Sequence, residues 1–305
     1  MTQIRYIPHN EIDKMKWDAC IKSSFNGLIW GFSWYLDIVC LNWDAIVEDD
    51  YQKVMPLPFI TKYNQLHIIV PPFVKQLGVF SIDKINHTIV DSFIQAIPEK
   101  FRQISLPLND MNKTNINSYK ITHVKNYQLD LIQPYVALLE NIEVETHKRI
   151  VWAKENKLTI KRTITTDEFI TFYKTAQHRS NAKLTKAYEV VLTPLISTLT
   201  RFNLAEIHGA FNAEGELCGI AFFLIYLNRL SLMSIAVNDK GLENYAEYLL
   251  INDFIESNAN KNVTLDFPQN VKEHWLELIQ GFGTIQTITS LMHRNNLPFF
   301  YKLIE

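Results

Sequence analysis

The 305-residue chain runs through one order of secondary-structure signals twice, which requires a fold with two similar halves. In each half the order is helix, helix, a three-strand meander, helix, strand, helix, strand. In the first, Ile12, Met15 and Ala19 form a helical stripe that predicts a helix over residues 11–22, and another follows at 32–41. Strand patterns at 43–48, 53–59 and 66–70 are joined by polar turns. A helix at 84–97, a strand at 101–106, a polar and helix-compatible stretch at 109–117 and a strand at 119–131 complete the half. After Pro134 the chain reads as a polar connection.

The second half repeats this order without repeating the sequence. Helices at 167–178 and 188–202 precede strands at 204–211, 216–227 and 229–237, and the turn from Asn212 to Gly215 is a hairpin signal. A helix over 242–257 with Leu242, Ala246, Leu249, Leu250 and Phe254 near one face follows. Then come a strand at 262–267, a helix at 271–279 and strands at 284–293 and 299–303. The apolar run 220–227 needs cover on both faces, so the expectation is an α/β or α+β sandwich of two halves, 1–140 and 141–305.

A content of 47% hydrophobic residues supports a large core and excludes disorder. Lys plus Arg number 30 against 32 Asp plus Glu, so no whole-chain field attracts DNA or an anionic membrane. The exception is residues 147–186, where ten basic residues face three acidic ones. This segment reads as a solvated helix face or as a place where a phosphorylated ligand meets cations. Cys20, Cys40 and Cys218 cannot all pair, which indicates a reducing compartment. There is no signal-peptide pattern, and the run 219–227 is too short to span a bilayer, so a cytoplasmic location is expected. No zinc motif, GxGxxG or Walker loop occurs, and no metal is expected.

Three segments carry a resemblance. The run from Val70 through Pro71, Pro72, Phe73, Gln76, Leu77 and Gly78 to Phe80 resembles the Pro-Pro-Phe, Gln-Leu-Gly segment of FemAB-like bacterial acyltransferases, proteins with two GNAT-like halves. Residues 146–158, with Lys148, Arg149, Ala153 and Lys154, are similar to the basic helix that opens the second half in that family. Leu265, Asp266 and Phe267, followed by Gly281, Phe282 and Gly283, resemble its Asp-Phe strand end and Phe-Gly turn. The resemblance implies tandem GNAT-like domains, each a mostly antiparallel sheet flanked by helices. It implies transfer of an acyl group from acyl-CoA, acetyl-CoA or longer, to an amine of a small molecule or peptidoglycan precursor. Aminoacyl-tRNA as donor is one alternative, and a catalytically degenerate GNAT fold that only binds is another. The first half would shape the acceptor side and the second the donor cleft.

The resemblance also implies a donor site. A splayed strand including Ser234, Ile235, Ala236 and Val237 would offer backbone N–H groups to the oxyanion, and the turn with Lys240, Gly241, Asn244 and Ala246 would meet a pyrophosphate. This turn departs from the GNAT signature, having Gly241 alone and placing Asp239 and Glu243 where an anion would approach. The Asp-Phe motif departs too, since Pro268, Gln269 and Asn270 replace a small turn. The catalytic candidates are Asp266 as base or amine anchor, Glu206 and His208 as a tuned pair on one strand face, and Tyr245 as proton donor to the leaving group. Each also has an ordinary structural reading: a turn residue, a wet strand face and half-buried packing, respectively.

Overall fold

The computed structural model describes residues 3–176, 180–181 and 185–297. It divides into two compact units, Met1–Val124 with Ile288–Glu305, and Lys125–Thr287. In the first unit the chain forms β1 (Ile4–Ile7), α1 (Lys14–Ser23), α2 (Ser33–Val39), β2 (Trp43–Glu48), β3 (Lys53–Lys62), β4 (Gln65–Ile68), β5 (Phe80–Ser81), α3 (His87–Gln95) and β6 (Phe101–Leu108). It then enters β7 (Lys120–Asp130), which passes into the second unit. There follow α4 (Tyr135–Leu139), α5 (Val144–Glu155), β8 (Thr159–Lys161), α6 (Thr166–Thr175), α7 (Lys186–Arg201), β9 (Ala205–Phe211), β10 (Leu217–Tyr226) and β11 (Arg229–Val237). The last elements are α8 (Asp239–Glu243), α9 (Ala246–Asn258), β12 (Thr264–Asp266), α10 (Glu273–Gly281) and β13 (Ile285–Asn295), whose residues from Ile288 onward belong to the first unit.

The two units share a pairing scheme. In the first, β1, β2, β3 and β4 pair antiparallel in turn, and β4 pairs parallel with β6 after the α3 crossover. In the second, β8, β9, β10 and β11 pair antiparallel, and β11 pairs parallel with β12 after α8 and α9. A parallel neighbour is reached through a long crossover, usually helical, and here meander plus helical crossover is the unit that occurs twice. The fold class is the expected one: mixed α/β with mostly antiparallel sheet covered by helices.

Trp17, Trp30, Trp43, Tyr35, Phe80 and Phe93 fill the first core, with the Trp17 and Trp43 rings 5.0 Å apart. The Gln-Leu-Gly segment is held there by buried amides. Asn112 Oδ1 accepts from the Val79 N–H at 2.6 Å, and Asn109 Nδ2 donates to the Leu77 carbonyl at 3.0 Å. Gly78 has φ +88°, and a Cβ on it would lie 2.2 Å from Asn112 Oδ1, so the turn requires glycine. In the second unit β10 is buried along nearly its whole length, as the apolar run demands.

Several elements depart from the sequence reading. Residues 109–117 form no helix, and α4 occupies part of the expected polar connection. The helix expected over 242–257 is two helices, broken at Tyr245, which is left-handed at φ 55°. The strand expected at 299–303, the helix end at Gln177 and His178, and the basic residues Arg179 and Lys183 lie outside the described residues. No described helix is long and apolar enough to cross a membrane.

Candidate active site

The site is built where β11 leaves its parallel neighbour. β11 pairs with β12 only from Arg229↔Thr264 to Ser231↔Asp266, then continues to Val237. Its register against β10 slips between Phe222↔Ser234 and Phe223↔Leu232, which inserts Met233 as an extra residue. A bulge increases local twist and turns the strand end away from its neighbour. Beyond Ser231, β11 runs on to Val237 without pairing to β12.

The described chain itself occupies part of this edge. Asn181 Oδ1 accepts from the Ile235 N–H at 2.9 Å, and the Asn181 N–H donates to the Ile235 carbonyl at 3.1 Å. Ala236 bridges Ser180 on this side and pairs with Ile220 on the other. Ser234 is buried and hydrogen-bonded to Tyr173. By strand alternation the backbone of Val237 faces the same side as that of Ile235.

Val237 opens onto a cavity of about 370 Å³ within the second unit. Its walls include Arg149 from α5, Tyr245 at the helix break, Glu247 and Tyr248 from the first turn of α9, and Trp275 from α10. α9 is buried on nearly every side, so a carboxylate at Glu247 must enter an apolar interior. Glu247 is 5% exposed, and its Oε2 has no hydrogen-bond partner. Burial pushes its carboxyl up to about 7, against its own backbone N–H and the Arg149 charge, which both favour the anion. At neutral pH it is poised to take or give a proton.

Arg149 is fixed beside it. Its Nη1 donates to the Tyr248 hydroxyl, and its guanidinium lies 5.6 Å from the Tyr245 ring centroid and 5.1 Å from that of Tyr248. Its Nε is buried without a hydrogen-bond partner, with a Glu145 carboxylate 3.9 Å away. Burial raises the Tyr248 phenol, opposed by Arg149. His274, also on the cavity wall, is held below the ordinary histidine value by burial and by Lys272.

Of the sequence candidates, Tyr245 and Val237 reach this cavity. Asp266 lies elsewhere: it is 1% exposed, accepts from Gln128 Nε2 at 2.7 Å and Asn126 Nδ2 at 3.3 Å, and sits 3.4 Å from Arg229 Nη1. Glu206 and His208 do meet, at 2.9 Å, and Asp253 approaches the other ring nitrogen at 3.3 Å. The His208 ring is fully buried, with the rings of Phe223 and Phe254 edge-on at 5.2 and 5.6 Å. Its pKa is raised because the hydrogen-bonded carboxylates of Asp253 and Glu206 outweigh burial. Arg162 completes the cluster at 3.0 Å from Asp253. This is a charge network around a buried imidazole whose partners Glu206 and Arg162 reach solvent, two turns along α9 from Glu247.

The expected phosphate turn has its polar groups engaged. Asn238 Oδ1 accepts from the Gly241 N–H at 2.9 Å, capping a helix of only five residues. Gly241 packs so closely that a Cβ would lie 2.1 Å from the Cys218 carbonyl oxygen. Lys240 pairs with Glu216 at 2.5 Å, and Asn244 Nδ2 donates to the Lys240 carbonyl. Ala246 is fully buried and packs near Gly219. The basic segment is partly neutralised as well, by Lys148–Glu145 and Lys174–Glu189 pairs besides Arg162–Asp253.

Glu247 and the pocket side of Arg149 were missed from sequence. The available signal was an acid beside the apolar run Leu249–Ile251 near the start of α9, because ionisable residues are almost never fully buried without a partner.

No protein-family model matches the chain, and no curated protein matches it. Among solved structures the chain is similar to FemX, with 12% identity over 100% of this chain and 99% of that one and a TM-score of 0.67. It is similar to L-PGS from Bacillus licheniformis at 10% identity over 99% and 97%, with a TM-score of 0.55. A tandem GNAT protein from the clavulanic acid biosynthesis pathway aligns at 10% identity over 97% and 99%, with a TM-score of 0.51. With the repeated meander and crossover, these likenesses establish the fold: the chain has a FemAB-like architecture of two GNAT-type halves.

Proposed function

We propose that this protein transfers an acyl-type group to an amine in the cavity beside α9, with Glu247 as the base. The observation that carries the reading is the buried Glu247 carboxyl, one oxygen unpartnered, in a cavity at the end of β11. An amine arrives as ammonium and must lose a proton before it attacks. A carboxyl pushed up to about 7 accepts that proton without being locked in either state. The neutral nitrogen then forms a bond to the acyl carbon, and the bond from that carbon to the leaving group breaks. As the amide forms, the nitrogen sheds a second proton and keeps one, and the shed proton passes to the leaving group with Tyr245, on the cavity wall, as relay. The proton held by Glu247 returns to solvent. The resemblance and the FemX-like fold support transfer chemistry over binding alone.

For the donor, the resemblance supports acyl-CoA. One observation favours a second reading, an aminoacyl ester of tRNA. The Gly241 N–H and the Lys240 ammonium, which a pyrophosphate would need, are engaged by Asn238 and Glu216. A ribose ester carries no pyrophosphate beside its acyl carbon. The test is mass spectrometry for amide product after incubating the protein and a panel of amines with acetyl-CoA, longer acyl-CoAs or aminoacyl-tRNA. Amide with one donor class supports the reading and selects the donor. Absence of amide with all of them would sink it.

A further inference from the structure

The cavity is lined by two groups of opposite charge type, each with a buried atom that makes no hydrogen bond: Arg149 Nε and Glu247 Oε2. We infer that the acceptor is an α-amino acid or a compact molecule like it, with its carboxylate on Arg149 and its amine on Glu247. The inference rests on the transferase reading for the fate of the amine, while the recognition itself rests on the lining.

Arg149 is preorganised for a planar anion. Tyr248 occupies Nη1, and the two tyrosine rings hold the guanidinium plane, which leaves the Nε edge, the one that grips a carboxylate through two N–H groups. The Glu145 carboxylate at 3.9 Å is 61% exposed and is a weak competitor. An acceptor with an amine alone would leave that Nε edge unsatisfied, and buried polar groups left unpaired are strongly selective against such analogues. Volume agrees, since 370 Å³ lies near the lower end of ligand-site sizes, suited to a small molecule. Trp275 and Leu278 give the wall an apolar portion for a side chain.

The experiment is calorimetric titration of the full chain with alanine and lysine against ethylamine and cadaverine, the same molecules without the carboxylate. The expected result is at least tenfold tighter binding of each amino acid, a preference that Arg149→Gln abolishes and Arg149→Lys partly restores. Equal affinities in the wild type, no binding of amino acids, or an unchanged preference in Arg149→Gln would overturn the inference. Should Arg149→Gln fail to fold, the wild-type preference decides alone. Acylation of simple amines as readily as of amino acids would defeat this inference and leave the transferase reading standing. Carboxylate-dependent binding without amide formation from any donor would do the reverse.

Discussion

Replacing Glu247 with Gln should make the protein more stable, by an amount that grows with pH. The carboxyl rises from an ordinary 4.5 to about 7 on folding because burial penalises its charged form. Between those values the folded state binds more protons than the unfolded one, so stability falls as pH rises through this range. At about 1.4 kcal/mol per tenfold change, the full span corresponds to ~3 kcal/mol, complete only above pH 7. Gln keeps the shape and removes the titration, so the penalty is absent from the variant. Urea unfolding of both proteins at pH 5 and pH 8 measures it. The difference in unfolding free energy should shift in favour of Gln by roughly 2.5 kcal/mol between the two values. A difference independent of pH would show that Glu247 is solvated or already paired, and the argument for a poised base would fail.

Other perturbations separate the structural roles. Gly241→Ala should destabilise by about 1–3 kcal/mol, because its Cβ meets the Cys218 backbone; unchanged stability in chemical denaturation would return this glycine to a ligand role. His208→Gln should cost about 2 kcal/mol, the usual loss for a broken buried pair discounted for the exposed side of Glu206. Because the folded His208 pKa is raised, that contribution is complete below pH 6.5 and fades as pH climbs through the folded value. A gap that widened above pH 7 would contradict this. Asn181→Ala should speed hydrogen exchange at the Ile235 amide, which loses its acceptor; unchanged protection would mean the strand edge is closed by something else.

The repeated order of elements was legible because it rests on long periodic segments. β2 and β11 fall where the strand-like runs put them, and the two-faced apolar run is the buried β10. Short elements escaped: β8 is three residues, too few to show a period. The helix break at Tyr245 escaped for a different reason: the apolar positions Leu242, Ala246, Leu249 and Leu250 run across it at helical spacing, so periodicity reads one continuous helix. That break also sets Glu247 against Arg149, so the site was hidden with it. Asp266 was visible as a strand-end acid, whereas its partners Gln128 and Arg229 come from other strands and could not be read in advance.

If Glu247 is the base, its titration governs the pH dependence of kcat/KM for amide formation. The wild type should show an activity limb rising through about pH 7, and Glu247→Gln should lose that limb together with at least a hundredfold in rate while remaining folded. A Glu247→Gln protein with wild-type rate and an unchanged profile would mean that another group takes the proton.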